Sequence, residues 1–307
     1  MKATRRWKLL FRFRHNIVCA ICNQPSNVLF CAGGDGEDLL LDSIEANKSF
    51  STKLSRPHLL LATHPPPPIS LALALRATLR RMTEYKIDIV SDTVCPWCYV
   101  GNNRLEKAIQ THKASNPNDS FTTTWHPYYL NPDAPPSVDK QAYYERKFGP
   151  QRTQAMQGHL ARLGKQVGIE FAFGGKTGNT RDSHRLIQLG KTKGEEMQTR
   201  VVKQLFNSYF EANEDITTQE VLIARGIKAG LDEAEVRAWM ESGQGGAEVD
   251  KEVVEARHKF ITGVPNFTIN GTYEVQGAEE PAAFLQVFGE VKDTMPGRVH
   301  GGADNAC

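Results

Sequence analysis

Alternating apolar and polar positions mark the start of the main part of the chain. Tyr85, Ile87 and Ile89 alternate with polar residues, which predicts a strand of about six residues. Apolar residues then recur with helical spacing as far as Lys113, and a stretch rich in Thr, Trp and Tyr follows over 121–129. This order predicts a right-handed βαβ unit with two parallel strands.

The pattern changes between about 131 and 245, where helical periods alone recur. Asn131-Pro132 and Pro135-Pro136 interrupt the chain at the beginning of this stretch. No convincing strand follows, so an all-helical block is expected. Its predicted helices cover 138–148, 150–167, 181–193, 195–212, 218–229 and 232–241.

After this block the pattern returns to mixed helix and strand. A helix is predicted over 246–260 and a strand over 266–269. Asn270-Gly271 is typical of a tight hairpin, and its return strand covers 272–275. A helix over 281–288 closes the pattern. The whole order predicts an α/β fold with an all-helical domain inserted between its two halves.

Composition places the chain among globular proteins and excludes several classes. The 307 residues are 40% hydrophobic, which is enough for a sizeable core. Six cysteines are too few for a disulfide scaffold. The longest apolar run, Ile69 to Leu79, is shorter than a membrane span and carries Arg76, so no membrane partner is expected.

Charge separates the first 81 residues from the rest. Residues 1–81 hold twelve Lys and Arg against five Asp and Glu, whereas residues 82–307 hold 25 against 30. The acidic larger part argues against a nucleic-acid partner. The basic extension, with prolines at 65–68, is interpreted as a mitochondrial targeting segment or as a disordered extension. A main domain over 82–290, a flexible tail over 291–307 and a cytoplasmic location are expected.

Two CxxC motifs occur, and the first is the weaker indication of a functional site. Cys19 and Cys22, with His15 and Cys31 nearby, have the ligand types of a zinc site. Because no second knuckle follows and no periodic pattern surrounds them, we expect no metal there.

The second motif, Cys95-Pro96-Trp97-Cys98, follows a predicted strand and begins a predicted helix. The free N–H groups and the dipole at a helix N-terminus favour an anion, so a lowered pKa is expected for Cys95. Its thiolate would attack a disulfide, and Cys98, one turn later, would resolve the mixed disulfide. Pro96 suits the first helical turn. The other interpretations are a structural disulfide or half of a zinc site.

Val264-Pro265 is the second chemical feature. A proline that opens a strand beside a buried site is a candidate for a cis peptide bond, with an ordinary trans bond as the alternative. In a thioredoxin-type fold this loop packs against the active disulfide, and the backbone of Val264 would pair with an extended substrate.

Taken together, these motifs resemble the DsbA-like thioredoxin superfamily, most closely its FrnE-type branch. The resemblance covers roughly 84–290 and implies a thioredoxin fold with a helical insertion. It also implies thiol–disulfide oxidoreductase activity, with Cys95, Cys98 and Pro265 in catalytic positions. The residues that carry it are SDTVCPWCYVG at 91–101, WHPYYLNP at 125–132, NTRDSHRL at 179–186, LFNSYFEANEDI at 205–216 and GVPNFTINGTYEVQGAEE at 263–280.

Several further residues are candidates for substrate binding, each with a structural alternative. Trp97 would contact substrate or cover the site. Trp125 would line a groove or belong to the core. Asn179 would bind a glutathione-like ligand or cap a helix. The resemblance suggests that His184 faces the cleft, and a core or surface histidine is the alternative. Pro96 and Val264 complete the predicted substrate-binding residues.

The predicted activity is that of an intracellular thiol–disulfide oxidoreductase without a metal or tightly bound cofactor. Its substrate is a protein or glutathione, and glutathione would serve as redox co-substrate. The first alternative is a glutathione-dependent enzyme acting on an aromatic small molecule, similar to 2-hydroxychromene-2-carboxylate isomerase or a kappa-class glutathione transferase; those relatives carry serine where Cys95 stands. The second alternative is a non-catalytic thioredoxin-fold module that binds peptides.

Overall fold

The computed structural model describes residues 82–294. The predictions for the basic extension, for the Cys19–Cys22 motif and for the tail beyond Thr294 concern residues outside this range. Within it, the predicted order of elements is confirmed. The strands are β1 (Glu84–Ser91), β2 (Ser120–Pro127), β3 (Val138–Asp139), β4 (Lys176–Thr177), β5 (Asn266–Ile269) and β6 (Tyr273–Gln276).

The helices follow the predicted bounds to within a few residues, except the last one. It was predicted to end at Phe288 but continues to Thr294, so 291–294 belong to this helix and not to the predicted flexible tail. They are α1 (Pro96–Ser115), α2 (Lys140–Phe148), α3 (Pro150–Val167), α4 (Arg181–Thr192), α5 (Glu195–Phe210), α6 (Gln219–Ala229), α7 (Glu233–Ser242), α8 (Gly246–His258) and α9 (Pro281–Thr294). Among the described residues, no helix combines the length and apolar character needed to cross a membrane.

A four-stranded sheet with the order β2-β1-β5-β6 is the centre of the fold. β1 and β2 are parallel, with Ile89 opposite Trp125, as the predicted βαβ unit requires. β5 is antiparallel to β1, with Phe267 opposite Ile89, and β6 is antiparallel to β5. The first and second halves of the fold therefore meet at the β1–β5 pair, in the middle of the sheet.

The side chains of β1 divide between two faces because a strand alternates. Tyr85 packs under α1 and α9: its ring lies 5.1 Å from the Phe288 ring, and its hydroxyl donates to the Phe288 carbonyl at 2.9 Å. Asp88 points to the other face, where His126 of β2 connects it to Glu252 of α8. Helices thus cover both faces of the sheet.

The insertion between β2 and α8 contains helices α2 to α7 and one element that the sequence did not predict. β3 and β4 form a two-residue antiparallel ladder, with Val138 opposite Thr177. The prediction of a block without strands is corrected by this ladder, which is too short to leave an alternating pattern. The buried residues of the insertion, such as Leu205 and Leu222, belong to the same core as those of the sheet.

Side chains at the helix ends explain where the inserted helices begin and stop. Asp139, Thr218 and Asp232 each accept a hydrogen bond from the backbone N–H three residues later, and so cap α2, α6 and α7. Gly230 ends α6 with φ at 102°, a left-handed conformation that favours glycine.

Candidate active site

Cys95 and Cys98 lie at the N-terminus of α1, directly after the short loop that follows β1. Cys95 is the N-cap residue of α1, with extended backbone angles, and Pro96 is the first helical residue. The N–H of Cys95 donates to the carbonyl of Asp92 at 3.1 Å, which closes the turn between strand and helix. Both cysteines are free thiols, and their exposed fractions are 0% and 1%. A dithiol one helical turn apart can close into a disulfide, which is the arrangement redox exchange needs.

The loop before β5 contacts this dithiol directly. The Val264–Pro265 peptide bond is cis, as predicted. The thiol of Cys95 donates to the carbonyl oxygen of Val264, with Sγ and O 3.6 Å apart. The N–H of Gly277 donates to the Pro265 carbonyl at 2.8 Å and ties the loop to the end of β6. The two halves of the fold therefore meet at the Cys95 sulfur.

Gly101 is a site residue that the sequence reasoning missed. A Cβ at this position would lie 3.0 Å from the Phe267 ring and 3.1 Å from the Pro265 ring. Glycine therefore allows α1 to approach the cis-proline loop closely enough for the Cys95–Val264 contact. The run CPWCYVG contained this glycine, but its spacing alone did not show which element it faces.

The protonation state of Cys95 differs from the prediction. Burial raises the pKa of the Cys95 thiol well above its usual value, and the nearby Cys98 and Asp92 act mainly in the same direction. The predicted lowering is thus contradicted in this closed arrangement, because complete removal of the sulfur from water outweighs the helix N-terminus. Cys95 is a thiol here, donating to Val264.

Asp92 is the acidic group nearest the dithiol along the chain, and it too was missed. It is 1% exposed, and its Oδ2 accepts the N–H of Leu130 at 2.8 Å. Its Oδ1 has no hydrogen-bond partner, although Nε2 of His184 lies 3.5 Å away. A buried carboxyl oxygen without a hydrogen-bond donor is costly to keep in a folded protein.

His184 belongs to this buried pair and does not face open solvent. It is 3% exposed, and its Nε2 lies 3.2 Å from the Tyr128 carbonyl as well as near Asp92. Its helix, α4, is joined to the dithiol loop by the 2.7 Å hydrogen bond between Thr93 and Ser183. The expectation that it lines the substrate cleft is corrected: His184 lies behind the dithiol, beside Asp92.

The insertion contributes a third buried group, formed by Lys140, Tyr144 and Tyr209. The Lys140 ammonium donates to the Tyr209 carbonyl at 2.8 Å, and burial lowers its pKa to about 8. Burial raises the pKa of Tyr144 to about 12, with further contributions from Cys95 and Asp92.

The remaining predicted residues divide between surface and core. Trp97 is half-buried, with its ring 6.0 Å from the His159 ring. Trp125 is 2% exposed and its indole N–H donates to Thr199 at 3.0 Å, so it belongs to the core instead of a groove. Asn179 is exposed, and its Oδ1 accepts the Arg181 N–H at 2.8 Å in a turn just before α4, whose N-cap residue is Thr180.

Val264 and Pro265 also border a large open cavity of about 1110 Å³ between α8 and the β5–β6 strands. On its floor, His126 lies between two carboxylates, with Nε2 3.0 Å from Asp88 and Nδ1 3.0 Å from Glu252. Glu252 also pairs with Lys191 at 2.7 Å. Within residues 82–294, no cluster of three His, Cys, Asp or Glu side chains could hold a metal ion.

Comparisons with known proteins agree with this geometry. A crystal structure of a probable DsbA oxidoreductase from Streptomyces coelicolor is 25% identical, with a TM-score of 0.63, and the match covers 70% of this chain and 92% of that one. YwbO, an uncharacterised protein of Bacillus subtilis, is 25% identical over 192 residues, which are 61% of this chain and 87% of that protein.

A candidate protein disulfide isomerase from Nitrosomonas europaea shares the fold at 15% identity and a TM-score of 0.51, over 67% of this chain and 97% of that one. The profile of the DSBA-like thioredoxin domain matches residues 86–289, which include the dithiol, the helical insertion and the cis-proline loop. The chain therefore belongs to the DSBA-like thioredoxin domain family.

Proposed function

We propose that the protein is a thiol–disulfide oxidoreductase in which Cys95 attacks and Cys98 resolves. The observation that carries this proposal is the contact of the Cys95 thiol with the carbonyl of Val264, immediately before a cis-proline. This contact joins a redox-capable dithiol to a loop whose backbone can pair with an extended substrate. Membership of the family supports the same chemistry.

The proposed reaction proceeds in two exchanges. Cys95 loses its proton, its thiolate attacks one sulfur of a substrate disulfide, and the other sulfur leaves as a thiolate. Cys98 then loses its proton and attacks Cys95 in the mixed disulfide, so the substrate's second sulfur leaves and Cys95–Cys98 becomes a disulfide. The two departing thiolates take up two protons. Two molecules of a thiol such as glutathione return the protein to the dithiol and leave as one oxidised disulfide, and the reverse sequence oxidises a substrate.

Closure of the site determines when this exchange can begin. Both sulfurs are buried, so a substrate sulfur reaches Cys95 when it displaces the thiol from the Val264 carbonyl. Displacement also admits solvent, which lowers the cost of forming the thiolate at the N-terminus of α1. Substrate binding and activation of Cys95 are thereby coupled.

The test is a redox titration of the full chain against mixtures of reduced and oxidised glutathione, with thiols blocked at each ratio and located by mass spectrometry. We expect Cys95 and Cys98 to disappear together as a two-electron disulfide. Disulfide turnover should be lost in both Cys95→Ser and Cys98→Ser. Glutathione-dependent conversion of an aromatic small molecule that persists in Cys98→Ser would favour the isomerase or transferase class, which needs no resolving thiol. Peptide binding that persists without either thiol would favour a peptide-binding module.

A further inference from the structure

Helices α2 and α3 form a hairpin with a local excess of positive charge. Residues 140–167 contain six Lys and Arg but a single acidic residue, Glu145. Residues 82–307 as a whole have more Asp and Glu than Lys and Arg, so the excess is a property of this hairpin and not of the domain. It is called the basic hairpin below.

The charges of the basic hairpin are not used within the fold. Within residues 82–294, most other Lys and Arg side chains form a salt bridge with a carboxylate. Glu145, the one acid of the hairpin, instead accepts a hydrogen bond from Gln141 at 2.7 Å. Neighbouring like charges repel one another, so such a cluster is favourable when an anionic partner covers it. The exposed residues that form no salt bridge in this range are Arg146, Lys147, Arg152, Arg162 and Lys165.

The basic hairpin borders the dithiol loop from both of its helices. On α2, Lys147 lines a narrow pocket together with Val94, the residue before Cys95. On α3, the ring of His159 lies 6.0 Å from the ring of Trp97, which stands between the two cysteines. The hairpin therefore lies at the edge of the site that a substrate sulfur must enter.

The spacing of the charges indicates the size of the partner. Arg152 and Arg162 are ten positions apart on α3, which is about 15 Å along the helix axis. Lys147 and Arg152 both lie over the ring of Phe148, at 5.6 and 5.7 Å from its centre, so these two cations are close to one aromatic side chain. A single carboxylate cannot contact charges this far apart, whereas several Asp and Glu side chains of one polypeptide can.

The neighbouring dithiol distinguishes acidic polypeptides from other polyanions. Nucleic acids and anionic lipids present rows of phosphates, but they have no sulfur for Cys95 to attack. An acidic polypeptide provides both the carboxylates and a cysteine. Attraction between opposite charges raises the association rate of such a partner by roughly 10- to 1,000-fold, and salt screens the effect.

We propose that the basic hairpin is a docking surface for acidic polypeptides and that its cations steer a disulfide flanked by Asp and Glu residues to Cys95. This inference rests on the proposed oxidoreductase function and adds a preference among its substrates. Carboxylates of the substrate pair with Lys147, Arg152 and Arg162 while its disulfide reacts with the dithiol.

The test measures how fast Cys95 captures two synthetic peptides of equal length. Each peptide has one cysteine in a mixed disulfide with 2-mercaptoethanol, flanked by Asp and Glu in one peptide and by Ser and Gly in the other. The full chain carrying Cys98→Ser is mixed with each peptide and quenched with acid at intervals. Mass spectrometry then follows the adduct at Cys95, and the readout is the acidic-to-neutral ratio of the rate constants.

Two further variants are made in the same Cys98→Ser chain. The first combines Lys147→Gln, Arg152→Gln and Arg162→Gln in the basic hairpin. The matched control combines Lys107→Gln, Lys228→Gln and Arg257→Gln, which removes the same charge from exposed positions on α1, α6 and α8.

We expect a ratio of about ten or more at low ionic strength, which falls towards one as salt is added. The hairpin variant should lower the ratio about five- to tenfold, and the matched control should leave it unchanged. A ratio of one or less in the parent chain, a ratio that the hairpin variant does not lower, or an equal fall in the control would overturn the inference. A preference that came from the basic residues of 1–81 would survive in the hairpin variant and would also overturn it. If a folded chain captured neither peptide at Cys95, the oxidoreductase proposal itself would fail, so the two failures are distinguishable.

Discussion

The Cys95 thiol donates to the Val264 carbonyl across 3.6 Å, although 169 positions separate the two residues. The contact exists because β5 pairs with β1 in the middle of the sheet, which brings the cis-proline loop to the N-terminus of α1. It also occupies the backbone group that would bind an extended substrate. In the resting site the thiol and the carbonyl therefore form a hydrogen bond with each other. A substrate that binds the Val264 carbonyl would have to displace the Cys95 thiol from it.

Asp92→Asn should lower the pKa of Cys95. The substitution removes a buried negative charge that opposes the thiolate, while an amide still accepts the Leu130 N–H. Because a more stable thiolate favours the reduced state, the Cys95–Cys98 disulfide should also become more oxidising. Titration of thiolate ultraviolet absorbance and equilibration with glutathione measure the two effects.

Asp133→Asn, an exposed position in the loop after β2, is the matched control for that change. It should leave both the thiol pKa and the reduction potential at their wild-type values. An Asp92→Asn protein with an unaltered Cys95 titration would contradict the assignment of Asp92 to the electrostatics of the site.

Gly101→Ala should damage activity by moving the cis-proline loop away from the dithiol. The added methyl group would meet the rings of Phe267 and Pro265 at 3.0 and 3.1 Å. Such overpacking costs about 1–3 kcal/mol of unfolding free energy, measured by urea denaturation. Turnover of a disulfide substrate should fall further than this loss of stability explains. Gly289→Ala, on α9 with open space around its Cβ position, is the control and should leave turnover intact.

The stability of the protein should decrease as pH rises above neutrality because of His126. Burial lowers its pKa, but the hydrogen bonds with Asp88 and Glu252 outweigh burial, and the net shift is upward. A group whose folded-state pKa is raised contributes stability that is complete below the unfolded value, about 6.5, and is lost as pH rises through the folded value. A neutral imidazole has one N–H and cannot donate to both carboxylates.

Urea denaturation of wild type and His126→Gln across this pH range tests the assignment. The wild-type unfolding free energy should fall as pH rises from about 6.5 through the higher folded-state pKa of His126, and the slope should be shallower in His126→Gln. Parallel curves for the two proteins would show that His126 does not join β2 to α8 through its charge. The pKa values of Asp88 and Glu252 are lowered in the folded protein. Their contribution to the unfolding free energy is therefore lost at acidic pH, as pH falls through these lowered values.

Local patterns predicted most elements, the dithiol and the cis bond at Pro265, because each is encoded by neighbouring residues. The surroundings of Cys95 could not be predicted in this way. Val264, whose carbonyl accepts from its thiol, is brought there by the pairing of β5 with β1. The expected lowering of the Cys95 pKa considered the helix N-terminus alone and omitted this burial.

The prediction for Trp125 shows a similar limit. An alternating strand pattern indicates two faces but does not say which helix will cover each one. Trp125 lies opposite Ile89 and is covered by α5, where Gln198 bonds its backbone N–H at 3.0 Å. Among residues 82–294, the large aromatic side chain that remains mostly exposed, Phe260, lies at a helix end where no periodic pattern marks it.

The most direct test of the central claim is to trap the attacking thiol. The full chain carrying Cys98→Ser is incubated with a disulfide substrate, quenched with acid, and mapped by mass spectrometry; Cys95→Ser and the double variant are the controls. The account predicts a mixed disulfide at Cys95 in Cys98→Ser and none at position 98 in the controls. A folded Cys98→Ser protein without an adduct at Cys95, or with adducts at other cysteines alone, would contradict it.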